Sequence, residues 1–482
     1  MRDLSSAAGA WRSAGTRRFA SAASAFALLV AGANLAQAAD AAPQPAEPAK
    51  TICDDIPSVL SSVDAPGLTP AKKYLCDHGV DLYVNYIGEA FGNVSGGIKQ
   101  NARYEHRVEF GVYADMEKLV GVPGLTFHVN GYQIAGSSIS TYNLLNYSTI
   151  SNIAAHPATM LFELWVEQKL FDDKLGIRVG QIAADVEFFQ SRIGGVFTNA
   201  AFGWPTILAA DLPSGGPAYP YATPGVRVRY QPTEDFAIMV AVFNGDPTGA
   251  GFDGSPYDFD RSGTDFRIKG APLAIAEAAY TYNQKGPTGL AGTIKFGGWN
   301  YFGNTYDQRF DVNNVPLAAP FSNGVAKTYG GSFGLYGIID QMLLRLSDDD
   351  PMQGLGFFAR VAGTQIDRND ISFYVDGGLS LTGAWWQRPN DTVGLAVTYA
   401  EVSAAARGYD VDTAFYSGED TPARSHEVAL ELTYNAQIVP GFNIQPVFQY
   451  IFSPGAGASN PNNPTQSIPD AAVLGLRTNI TF

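Results

Sequence analysis

From about residue 80 to the C-terminus, apolar and polar residues alternate with a period of two, run after run. Within 427–434, Val428, Leu430, Leu432 and Tyr434 share one face, while Glu427, Ala429, Glu431 and Thr433 share the other. Leu474, Leu476, Ile480 and Phe482 oppose Gly475, Arg477, Asn479 and Thr481; Val393, Leu395, Val397 and Tyr399 oppose Thr392, Gly394 and Thr398. Val226, Val228 and Tyr230 oppose Arg227 and Arg229, and Val108, Phe110 and Val112 oppose Arg103, Glu105, Arg107 and Glu109. Successive side chains of a strand point to opposite faces, so each run predicts a strand with one apolar and one polar face. One such run fits a soluble β-sandwich equally well. Their recurrence through the chain favours a closed, all-β barrel, because strands cross lipid only when every backbone group is bonded internally.

The N-terminus carries a different pattern. Arg2, Arg12, Arg17 and Arg18 precede an apolar, alanine-rich run from Phe19 to about Ala33, followed by Ala36-Gln37-Ala38. A basic start, a short apolar core and a small-residue site predict a secretory leader over 1–38. The core is too short for a spanning helix. Residues 40–50 (DAAPQPAEPAK) read as a flexible linker, so 39–79 is expected to be a linker and a short exported segment. No later linker divides 80–482, which is expected to be one barrel domain.

Composition sharpens this picture. The 482 residues include 52 Gly, 29 Phe and 24 Tyr, with only 16% charged residues, a mixture suited to short strands, turns and aromatic girdles. The net charge is −15, and the leader would remove four arginines and one aspartate, leaving the rest more acidic still. Phosphate contacts need clustered Lys and Arg, so nucleic acid is not an expected partner. The two cysteines, Cys53 and Cys76, predict a disulfide in an oxidising compartment, stabilising their segment by about 3 kcal/mol.

Signals for catalysis or metal binding are weak. Gly330-Gly331-Ser332-Phe333-Gly334 has the spacing of a hydrolase nucleophile turn, but it lies in a Gly- and aromatic-rich stretch that reads as a strand. His78, His106, His128, His156 and His426 lack metal-ligand spacing. Asp258 and Asp260, and the run 348–350, read as solvated turns. Neither a catalytic residue, a metal nor a cofactor is expected.

Several segments resemble the carbohydrate-selective outer-membrane porins, the OprB family. They are LFELWVEQKLFDDKLGIRVGQIAADVEFFQS (161–191), NAAFGWPTILAADLPSGGPAYPYATPGVRVRYQP (199–232), AVFNGDP (241–247), EVALELTYNAQIVPGFNIQPVFQYIFSPG (427–455) and VLGLRTNITF (473–482), in that order. GEAFGNVSGG (88–97) fits the first strand and turn, and the likeness is weaker from about 291 to 385. The resemblance implies a transmembrane antiparallel barrel of about sixteen strands, a short periplasmic N-terminal piece and loops folded into the pore. It further implies passive diffusion of small neutral sugars and polyols across the bacterial outer membrane, with lipid as the surrounding partner. The preferred sugar and the number of chains per assembly are not written in these motifs. Phe482 resembles the terminal aromatic of many outer-membrane barrels.

A pore of this kind selects by radius, hydrogen-bonding groups and charge. The expected lining is Arg103, Glu105, Arg107, Glu109, Arg178, Arg227 and Arg229, on faces opposite apolar neighbours. Residues 199–223 hold Pro205, Pro213, Pro217 and Pro220 and cannot supply regular ladder donors. That segment is expected to fold inward, facing the strand of Arg227 and Arg229, with Trp204, Tyr219 and Tyr221 offering aromatic faces to a sugar.

Overall fold

The computed structural model describes residues 53, 58–62, 65–249, 260–285, 289–348, 350–384 and 388–482. The expected leader and the 40–50 linker lie outside the described residues, as do Asp258 and Asp349.

Alternation becomes a closed barrel. Its strands are β1 (Val80–Ser95), β2 (Ala102–Asp115), β3 (Leu125–Gly136), β4 (Ala158–Leu170), β5 (Leu175–Ile182), β6 (Thr223–Thr233), β7 (Phe236–Asn244) and β8 (Pro272–Tyr282). They continue as β9 (Gly292–Asp311), β10 (Ala326–Arg345), β11 (Gly354–Thr364), β12 (Ile371–Thr382), β13 (Thr392–Val402), β14 (His426–Val439), β15 (Phe442–Phe452) and β16 (Ala471–Thr481). Each pairs antiparallel with its chain neighbours, and β1 closes onto β16 from Asn85↔Thr481 to Gly92↔Leu474. Sheet edges are thereby abolished, as a lipid environment requires.

The two faces of the wall invert the pattern of a soluble protein. Leu82, Phe110, Val166, Val226, Val397, Leu432 and Leu474 are exposed on the outside. Inside, Glu427, Glu431, Arg360 and Asp376 are at most 2% exposed. An apolar outer band around a polar interior is the arrangement that a bilayer stabilises. Among the described residues no helix is long and apolar enough to cross a membrane; the strands are the crossing elements.

The two ends differ. One carries short turns, such as 171–174 and 234–235, and both chain ends of the barrel; the other carries long loops, including 137–157, 183–222 and 403–425. At the short-turn end a helix, Leu68–Asp77, holds Cys76, which is disulfide-bonded to Cys53. Gly441 in the β14–β15 turn has φ +79°, and a Cβ there would lie 2.4 Å from the Val59 amide nitrogen. Only glycine lets the N-terminal segment pack so closely against that turn.

Candidate functional site

The interior is shaped by 183–222, the connection between β5 and β6, which leaves the long-loop end and crosses to the far wall. Wall carboxylates capture its backbone N–H groups. Glu163 accepts from Ala183 (3.0 Å), Asp340 from Arg192 (3.0 Å), and Glu431 from Thr198 and Asn199 (2.7 and 2.8 Å). Asn199 Nδ2 donates to Gln449 on β15 (2.9 Å), and Gln445 Nε2 donates to the Val196 carbonyl (2.7 Å). Irregular backbone is tolerated at membrane depth only where its polar groups find such partners. Phe189 stacks on Tyr336 with ring centroids 3.6 Å apart, which adds apolar packing to the polar anchors.

Two adjoining cavities flank the crossing segment. An outer one of about 650 Å³ is lined by Arg107, Asp185, Trp204, Tyr219, Tyr221 and Arg477, together with residues of the 149–154 loop. An inner one of about 870 Å³ is lined by Glu167, Arg178, Glu187, Arg192, Arg227, Arg229 and the short turn Glu234–Asp235. Val186 and Gln190 line both, so the cavities adjoin at the first arm of the crossing segment.

In the outer cavity the Arg107 guanidinium lies 4.7 Å from the Tyr132 ring centre and 5.5 Å from that of Tyr219. Asp185 accepts from the Tyr219 amide (2.9 Å), and Tyr219 Oη donates to the Ile153 carbonyl (2.8 Å). Burial pushes the Asp185 carboxyl up to about 6, against the pull of the Tyr219 amide and Arg107. Trp204 is held by its Nε1–H bond to the Gly215 carbonyl (2.9 Å) and packs edge to face with Phe189.

The inner cavity holds a four-charge cluster. Arg227 bonds Glu167 (Nη1–Oε1 3.0 Å) and Glu187 (Nε–Oε2 2.5 Å), and Arg178 bonds the same two carboxylates at 2.7 and 2.6 Å. The Arg178 guanidinium also covers the Trp165 ring at 3.7 Å. Charge is balanced within the cluster, while Arg229 lines the cavity further along β6.

The expected lining residues therefore separate. Arg107 reaches the outer cavity; Arg178, Arg227 and Arg229 reach the inner one. Arg103, Glu105 and Glu109 point inward but line neither. Arg103 is bound by Asn143 Oδ1 (2.8 Å) and Ser137 Oγ (3.1 Å), Glu109 accepts from Tyr83 (2.9 Å) and Asn130 (2.8 Å), and Glu105 is buried at 5%. Residues 199–223 do not face Arg227 and Arg229: their aromatics line the outer cavity, and it is Glu187 of the earlier arm that meets Arg227. Thr223 already belongs to β6, paired with Ile182. Glu167 stood in plain alternation with Trp165 and Glu163, whereas Asp185 and Glu187 lie in irregular chain that carries no period. The 330–334 motif is part of β10, outside any strand–turn–helix setting.

A closed antiparallel barrel, apolar outside and charged within, narrowed by an inward connection, defines an outer-membrane channel of the porin class. The chain belongs to the OprB family of carbohydrate-selective porins, whose family model matches residues 99–482. It is 23% identical over 429 residues to Porin B of Pseudomonas aeruginosa strain PAO1, covering 85% of this chain and 88% of that protein. The high-pH structure of Pseudomonas putida OprB is similar with a TM-score of 0.73 at 24% identity, covering 86% of this chain and 96% of the other. The low-pH structure of the same protein gives a TM-score of 0.50 at 17% identity, over 87% and 98% of the two chains. The protein is thus a passive carbohydrate channel of the bacterial outer membrane. Its short turns face the periplasm, as in other bacterial barrels.

Proposed function

We propose that small neutral sugars and polyols pass from the outer to the inner cavity by way of Val186 and Gln190, and that 183–222 sets the narrowest part of the route. The observation that carries this reading is the outer cavity, where a guanidinium, a carboxylate and the faces of Tyr132 and Tyr219 converge. A sugar offers hydroxyls that accept and donate, and C–H faces that pack on aromatic rings. Arginine supplies forked donors and Asp185 an acceptor. A zwitterionic amino acid gains less from this surface, since it must shed hydration from two charges to use it. In liposome swelling, glucose and mannitol should enter several times faster than an amino acid of similar size. Equal rates would reduce the channel to a size filter, and no swelling at all would remove the pore.

The disulfide plays no part in this route. Cys53 and Cys76 sit at the periplasmic end and line neither cavity. Cys53→Ser should leave sugar flux unchanged while lowering the resistance of the N-terminal segment to protease. Mass spectrometry of non-reduced peptides from exported protein should show the linked pair, and two free thiols would contradict it.

A further inference from the structure

On β11, five strands round the barrel from β6, one side chain gathers the crossing segment. Arg360 on β11 is 1% exposed, and all five of its N–H groups are engaged. Nε donates to Asp376 on the paired strand β12 (3.0 Å to Oδ1), and Nη2 donates to the same carboxylate. The remaining donors reach three backbone carbonyls of the crossing segment: Phe189 (2.9 Å) and Gly203 (3.0 Å) from Nη1, and Ala201 (2.7 Å) from Nη2. Tyr374 Oη, also on β12, lies 2.9 Å from the Ala201 carbonyl and 2.5 Å from Asp376 Oδ2.

Phe189 belongs to the arm that carries Val186, Glu187 and Gln190. Ala201 and Gly203 belong to the later arm that carries Trp204. One guanidinium therefore clips the two arms to each other and both to the wall. Asp376 fixes the guanidinium plane, so the remaining donors are aimed into the lumen at the crossing segment. A lysine has three donors on a flexible stem and cannot reproduce that fork.

We infer that Arg360 is a positioning residue for permeation: it sets the aperture by locking the two arms, although it lines neither cavity. This rests on the reading of 183–222 as the constriction. Without Arg360 the arms are held to different walls by separate carboxylates, Glu277 and Asp340 for the first and Glu431 for the second. Around Phe189, Ala201 and Gly203 they can then move apart while each stays attached, although the Ala184–Pro217 and Tyr219–Asp185 bonds still join the two ends of the segment.

The test compares purified Arg360→Lys with the double variant Arg360→Met/Asp376→Asn. The double variant removes the clip without leaving a buried charge unpaired, so the barrel should still fold. Folding is read independently, from heat-dependent mobility in detergent gels. Both folded variants should show single-channel conductance raised by about twofold with added current noise, and a glucose-to-amino-acid swelling ratio lowered toward one, because a wider, less fixed aperture filters less. A purely structural role would lower heat resistance and leave conductance per channel and the swelling ratio alone. Parental conductance and ratio in the folded double variant would overturn the inference. Deletion of Gly215–Tyr219, made in parallel, separates the two ideas. If that deletion widens the pore and the Arg360 variants do not, the constriction stands and the clip fails; if neither does, the constriction itself is misplaced.

Discussion

Deleting Gly215–Tyr219 will raise single-channel conductance by about twofold and flatten the preference for sugars, since aperture and lining groups together set porin selectivity. These five residues close the second arm back onto the first. Pro217 accepts from the Ala184 amide (2.6 Å), Gly215 accepts from Trp204 Nε1 (2.9 Å), and Tyr219 donates its amide to Asp185 (2.9 Å). Their loss frees Asp185 and Trp204 from their fixed places and takes away one of the two rings beside Arg107. The bonds of Thr198 and Asn199 to Glu431 are untouched, so the segment stays in the lumen and the barrel stays closed. Planar-bilayer recording measures the conductance, and swelling with glucose against a size-matched amino acid measures the preference. If both equal the parent, the narrowest point lies elsewhere on the path.

How far the sequence could be read follows from what alternation encodes. A period of two states which face a side chain takes, and that was legible wherever charge opposed an aliphatic residue. Arg227 lies inside between Val226 and Val228, which lie outside, and Glu427 and Glu431 lie inside with Ala429 between them. Alternation says nothing about which inward group meets which across the lumen. Arg360 and Phe189 are 171 residues apart, and the run around Arg360, GLGFFARVAGT, is too rich in small residues to mark the arginine out. The strand number came from the resemblance rather than from the period, because the glycine-rich β9 and β10 run for 20 residues each without clean breaks. The prolines of 199–223 revealed a segment unfit for a ladder, but its true beginning at Ala183 had no such marker. Nothing in those residues marked the wall they would meet, and the expected one, the strand of Arg227 and Arg229, is met by Glu187 of the earlier arm instead.

Arg227→Ala should shift the channel toward cations and weaken the barrel. Arg227 is buried at 4% between Glu167 and Glu187, and Arg178 is their other partner. With Arg227 gone, two carboxylates share one guanidinium, and the inner cavity gains a net negative charge close to its junction with the outer one. Breaking a buried pair by removing one member costs several kcal/mol, but the cavity opens to solvent and Arg178 remains, so a loss of about 2 kcal/mol is expected. Reversal potentials in a potassium chloride gradient should move toward the potassium value. Neutral sugar flux should change far less, since the sugar-facing groups belong to the outer cavity. Arg227→Lys keeps the charge but cannot bridge both carboxylates with a planar fork. It should therefore restore the reversal potential while recovering only part of the heat resistance. If Arg227→Ala left ion selectivity at the parental value, the four-charge cluster would have no share in the conducting path. If it abolished sugar flux and spared selectivity, the sugar-recognising surface would lie in the inner cavity, and the roles assigned here to the two cavities would have to be exchanged.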